Sequence, residues 1–271
     1  MSRQGKHFAN KKEMHKSAHV QNQKKTSKKA QTSKKSRKFP LFRILSLLII
    51  IACVIYIVIW YRENNKTEKI MEVVYEEAVV DKEDGKSEID FNKLKELNSD
   101  VVGWIKVNNT NVDYPVVKGR DNSFYLNHSL DKSYNAAGWP FVDYQTKLDG
   151  TDENIVIYGH NRQDGSMFGS LEDILKPEWY NNEENLYITY TTEEGEELYQ
   201  VFSIYNIKRE LYYTTNNFTS DDEYVEFLNE LESRSIVDFN VDLDKDDSIL
   251  TLSTCADYNV YRNVLHAKKV N

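Results

Sequence analysis

Cys255 and Arg262, seven residues apart near the C-terminal end, are the pair whose types and spacing could do chemistry. Cys255 closes the run Ile249-Leu250-Thr251-Leu252-Ser253-Thr254-Cys255, whose β-branched and apolar residues predict a strand. Period-2 alternation puts Ile249, Thr251, Ser253 and Cys255 on one face and Leu250, Leu252 and Thr254 on the other. A side chain at the end of such a strand can leave the sheet and meet solvent. Arg262 opens a second run that continues to Val270. If the two runs form an antiparallel hairpin, thiol and guanidinium meet at its mouth. A nucleophile beside a permanent cation is the beginning of a covalent catalyst. The competing reading is a cysteine packed as a small hydrophobe, which is the commoner fate of a free thiol.

A thiol nucleophile needs a proton-transfer partner, usually a histidine. Three candidates lie in the C-terminal two-thirds of the chain: His128, His160 and His266. His266 shares a face with Arg262, but four strand residues separate them by about 13 Å, so it is expected to pack on the sheet. His128 sits in the loop-like Tyr125-Leu-Asn-His-Ser. His160 ends the apolar run Asn154 to Gly159 and opens a loop, a rigid yet outward-facing position. An ordinary strand-end histidine fits that place as well. The three histidines follow no ligand spacing, and a single exported cysteine cannot build a structural zinc site. Asp242 to Asp247 reads as a solvated turn. No metal and no cofactor is implied.

These residues must be carried by something. Residues 1–43 hold fourteen Lys/Arg and one acid, Glu13, or about +13 in a chain whose net charge is −8. That segment is poor in apolar residues and is expected to be a disordered basic tail. Ile44 to Tyr61 is an uncharged apolar run of eighteen residues. As a helix it would span about 27 Å, enough for a bilayer core. Trp60 and Tyr61 stand where interfacial aromatics stand, and no small-residue cleavage site follows. One uncleaved membrane anchor is predicted, with the basic tail cytoplasmic and in contact with anionic lipid, and the rest of the chain outside. This placement argues against nucleic acid as the partner of the tail. Cys53 falls in the anchor, so Cys255 is the lone exported thiol: reactive, or bridged between molecules.

Residues 62–88 are highly charged and read as a spacer, and 89–271 as one globular domain large enough for its own core. Inside it, Phe91 to Leu97 predicts a short helix and 221–234 a second, with apolar residues at helical spacing. Strands are predicted at Val101–Val107, Val112–Val117, Gly138–Asp143, Asn154–His160, Leu186–Tyr190 and Leu198–Tyr205, before the last two. Short strands with turn signals and few helices suggest an antiparallel barrel or sandwich.

Thr251-Leu-Ser-Thr-Cys255 resembles the nucleophile strand of the sortases, the cell-wall cysteine transpeptidases of Gram-positive bacteria. Arg262-Asn-Val-Leu-His-Ala-Lys268 is similar to the family's arginine strand and Ile155-Val-Ile-Tyr-Gly-His160 to its histidine strand. Phe91 to Leu97, Val101-Val-Gly-Trp-Ile105, Asp113-Tyr-Pro-Val116, Asp121-Asn-Ser-Phe-Tyr-Leu126 and Gly159-His-Asn with Met167-Phe168 resemble class B. The resemblance implies an eight-stranded antiparallel β-barrel with an N-terminal helix and a helix before the last strands, behind the anchor. It implies Cys255 as nucleophile, His160 as proton carrier and Arg262 as oxyanion and substrate donor. Asn122, Leu126 and Ser253 would line the groove for a surface protein's sorting signal, cleaved after its threonine through a thioacyl enzyme. The acceptor would be a peptidoglycan amine. Two alternatives stay open: a pilin polymerase that uses a protein lysine, and an extracellular binding module without catalysis.

Overall fold

The computed structural model describes residues 38–82, 87–255 and 260–270, with the backbone alone at 38–40, 63, 64, 81 and 255. The expected basic tail lies, up to residue 37, outside the described residues, as does the connection 256–259.

The first element is helix α1, Lys38–Ala78. From Leu41 to Tyr61 its large apolar side chains are exposed, and the helix is long and apolar enough to cross a membrane. Its C-terminal part behaves differently. Thr67, Met71, Val74 and Ala78 fall on one stripe and are buried. Met71, Val74 and Ala78 share a core cluster with Phe91, Leu94, Val101, Trp104 and Leu130, and the Tyr75 ring meets Trp104 edge-on at 5.8 Å. Within the segment read as a spacer, 62–88, the chain is helical to Ala78 and this part packs on the domain, because one apolar stripe outweighs the charged remainder.

A small antiparallel hairpin follows, β1 Val79–Asp81 with β2 Ser87–Ile89. Helix α2, Phe91–Leu97, is N-capped by Asp90, whose side chain accepts from the N–H groups of Asn92 and Lys93. Eight strands then close a barrel: β3 Val101–Val107, β4 Asp113–Lys118, β5 Phe141–Val142, β6 Asn154–His160, β7 Tyr187–Thr192, β8 Gly195–Lys208, β9 Ile249–Cys255 and β10 Tyr261–Val270. Their order around the barrel is β10-β8-β7-β3-β4-β5-β6-β9. Ile105, Val116, Ile157, Ile188, Val201, Leu250, Leu252 and Leu265 fill the interior.

The eight-stranded barrel is as expected, but it is not antiparallel throughout. β4 pairs β5 in parallel, and β6 pairs β9 in parallel. Long excursions explain this, since each parallel partner is reached by a connection long enough to cross over. The β6–β9 excursion carries helix α3, Pro177–Tyr180, strands β7 and β8, and helix α4, Asp221–Ser233. Ser220 caps α4 by accepting from Glu223 N–H, while Glu223 reaches back to Thr219 N–H at 2.7 Å. Tyr224, Phe227, Leu228 and Leu231 of α4 pack over Phe202, Ile249 and Val264. That cover buries β9 on both faces, its polar Thr251, Ser253 and Thr254 included.

Candidate active site

The β6–β9 ladder runs Tyr158↔Ser253, Gly159↔Thr254, His160↔Cys255, and both strands end there. β10 returns antiparallel to β9, with Val264 opposite Ser253. Carried two residues further, that register puts Arg262 opposite Cys255, so the hairpin expected from the sequence forms. Asn263 N–H donates to Thr254 Oγ1 at 2.9 Å and pins the start of β10. The backbone thus sets His160, Cys255 and Arg262 in one row at the same end of three neighbouring strands.

His160 is buried, 7 % exposed, and its Nε2 lies 2.6 Å from Leu126 O. A carbonyl oxygen only accepts, so Nε2 carries a hydrogen, and in the neutral ring the lone pair is on Nδ1. Behind the ring, β6 is held at Gly159: a Cβ there would stand 2.5 Å from the Phe168 ring. Phe168 N–H donates to His160 O at 3.0 Å and closes the loop that follows.

Arg262 is 9 % exposed and its Nη1 donates to Tyr261 O at 3.1 Å. It lines a cleft of about 340 Å³ together with Asn122, Leu126, Tyr158, Tyr213 and Ser253. All three residues expected to touch substrate therefore lie on one cleft with Arg262. Asn122 is already engaged, donating to Asp143 Oδ2 at 2.8 Å and accepting from Tyr144 N–H at 3.0 Å. Ser253 shares a hydrogen bond of 3.0 Å with Tyr213 Oη, and Leu126 offers its carbonyl to His160. The far wall, formed by Arg209, Glu210, Leu211, Tyr213 and Thr214, was not foreseen. It carries no strand or helix periodicity, only a tyrosine pair, Tyr212-Tyr213.

The other two histidines among the described residues do not enter this row. His128 stacks on Phe124 with ring centroids 4.0 Å apart. His266 is fully buried between Tyr205 Oη, 2.7 Å from Nε2, and Thr251 Oγ1, 2.8 Å from Nδ1. Burial pushes its pKa down to about 3, with help from the Arg234 cation. Among the described residues no three His, Cys, Asp or Glu side chains converge as a metal site.

Residues 105–270 match the sortase domain family. The chain belongs to the sortases. The sortase B of Staphylococcus aureus is 36% identical over 167 residues, 62% of this chain and 68% of that protein. The structure of sortase B from Bacillus anthracis in complex with AAEK1 superposes with a TM-score of 0.67 at 30% identity, covering 78% of this chain and 98% of that one. The Staphylococcus aureus sortase B–substrate complex gives 0.64, also at 30% identity, covering 78% and 94%. These relatives place the chain in class B of a family of cell-wall transpeptidases.

Proposed function

We propose that this sortase is a membrane-anchored cysteine transpeptidase. Its thiolate nucleophile is Cys255, its proton carrier His160 and its oxyanion donor Arg262. The observation that carries the reading is the register that sets these three residues in one row at the strand ends. That a Staphylococcus aureus relative is solved as a sortase B–substrate complex supports substrate binding by this fold.

In the first half-reaction Sγ of Cys255 bonds to the carbonyl carbon of a sorting-signal threonine. The peptide C–N bond breaks, and the departing amine takes a proton from His160. In the second half, an acceptor amine gives a proton to His160 and attacks the thioester. The new amide forms and the Cys255 thiolate leaves. A free thiol, with a pKa of about 8.5, is only a minor thiolate at neutral pH, so the Arg262 cation raises the reactive fraction. The same guanidinium, fixed and always charged, donates to the oxygen that becomes negative in each tetrahedral intermediate. Asn122, Leu126 and Ser253 line the signal-binding cleft. The apolar part of α1 is the anchor, residues 1–43 lie in the cytoplasm against anionic lipid, and the barrel faces the cell wall. The cargo is a surface protein and the acceptor a peptidoglycan amine.

The test incubates the protein with peptides of sorting-signal type and an amine, and reads intact mass. A thioacyl adduct that Cys255→Ala lacks, and that the amine discharges, supports the transpeptidase. No adduct with any peptide, with a thiol that resists alkylation until denaturation, leaves a binding module.

A further inference from the structure

The turn 135–138 joins helix α1 to the imidazole of His160. Asn135 is 1 % exposed, and each of its polar groups is used. Its N–H donates to Asn127 O at 2.9 Å and its carbonyl accepts from Gly138 N–H at 2.9 Å. Its side-chain Oδ1 accepts from Ala137 N–H at 3.0 Å. Its Nδ2 donates to Ser129 Oγ at 2.8 Å and to Thr67 Oγ1 of α1 at 3.1 Å. Thr67 is itself 5 % exposed. The neighbouring Lys66 donates to Tyr134 O, so two successive residues of α1 grip Tyr134 and Asn135 at the entry to the turn.

At its other end the turn reaches Gly138, whose φ of +61° is left-handed. A Cβ there would stand 2.8 Å from Cδ2 of His160, and 2.6 and 2.8 Å from the carbonyl oxygens of Tyr125 and Leu126. Leu126 O is the acceptor that orients the same imidazole. Trp139 N–H, next along, donates to Tyr125 O at 2.9 Å. Gly138 is thus the backstop of the ring, and Asn135 decides where the backstop stands.

We propose that Thr67 and Asn135 are positioning residues for His160, so that the docked part of α1 sets the geometry of proton transfer. The inference rests on His160 as the proton carrier. A buried amide that loses its acceptor pulls the turn toward a new partner, because an unpaired buried donor is costly. Rates fall steeply with such displacements, on the order of 100-fold for 1 Å.

The experiment uses the full-length chain in detergent micelles, comparing Thr67→Val, Thr67→Ser and Asn135→Asp with the parent. Thr67→Val is expected to lower kcat about five- to tenfold, the loss expected of a shift well under 1 Å, with KM for the peptide unchanged. The pH profile should shift and the ring resonances of ¹³C-labelled His160 should move. Thr67→Ser, which keeps the hydroxyl, should match the parent, and Asn135→Asp should behave as Thr67→Val. A lower Tm with unchanged kcat and unmoved His160 resonances in Thr67→Val and Asn135→Asp overturns the inference. A parent chain that forms no acyl adduct overturns the transpeptidase reading instead, and the His160 resonances then still decide the coupling.

Discussion

His266 offers a perturbation whose size can be worked from its surroundings. Thr251 Oγ1 donates to Asn154 Oδ1 at 2.7 Å, so it accepts from His266 Nδ1–H, and His266 Nε2 accepts from Tyr205 Oη–H. The neutral ring is fully satisfied, and burial holds its pKa near 3 rather than the usual 6.5. In the unfolded chain the imidazole takes a proton below pH 6.5, while in the fold it does not. The unfolded state then binds more protons, so stability falls with falling pH by about 1.36 kcal/mol per unit. Between pH 7.5 and pH 5 the loss from this one group is about 2 kcal/mol. It is set by the unfolded pKa alone, because the folded ring stays neutral across that window. His266→Gln removes the titration and keeps an amide that can bond both neighbours. Urea unfolding of parent and variant, followed by the buried Trp104, Trp139 and Trp179, should show the parent's advantage shrinking by about 2 kcal/mol from pH 7.5 to pH 5. Parallel stability curves across that window would refute the reasoning.

Three further outcomes are expected. Arg262→Lys keeps the charge but loses the planar fork, and should lower acylation about 100-fold with the fold intact by circular dichroism. Gly159→Ala drives a methyl into the Phe168 ring and should cost about 1–3 kcal/mol in urea unfolding, lowering activity with it. Leu231→Ala empties the α4 contact over β8–β10 and should cost about 2–5 kcal/mol, with Cys255 still acylated in the folded fraction.

How much was legible varies by element, and for a physical reason. The bounds of β3, β6, β9 and α2 coincide with the runs read from sequence, because each is a complete local pattern closed by a loop signal or a cap. The short β5 is harder: Gly138 to Asp143 reads as one strand, yet only Phe141 and Val142 pair, since Gly138 is left-handed and Pro140 has no N–H to donate. The second half of α1 read as a charged spacer because its burial depends on four positions that matter only once the domain stands against them.

By itself the sequence determined the chemistry on offer: a thiol at a strand end, an arginine seven residues on, a histidine at the end of an apolar strand, and an apolar run long enough to cross a membrane. Those are properties of residue type and short-range spacing. That His160 stands opposite Cys255 was decided by the tertiary structure, because parallel pairing of β6 with β9 is a register between strands separated by two strands and two helices. No local preference encodes such a register. It is selected when Ile157, Leu250 and Leu252 enter the barrel together, and a slip by one residue would turn each of them outward.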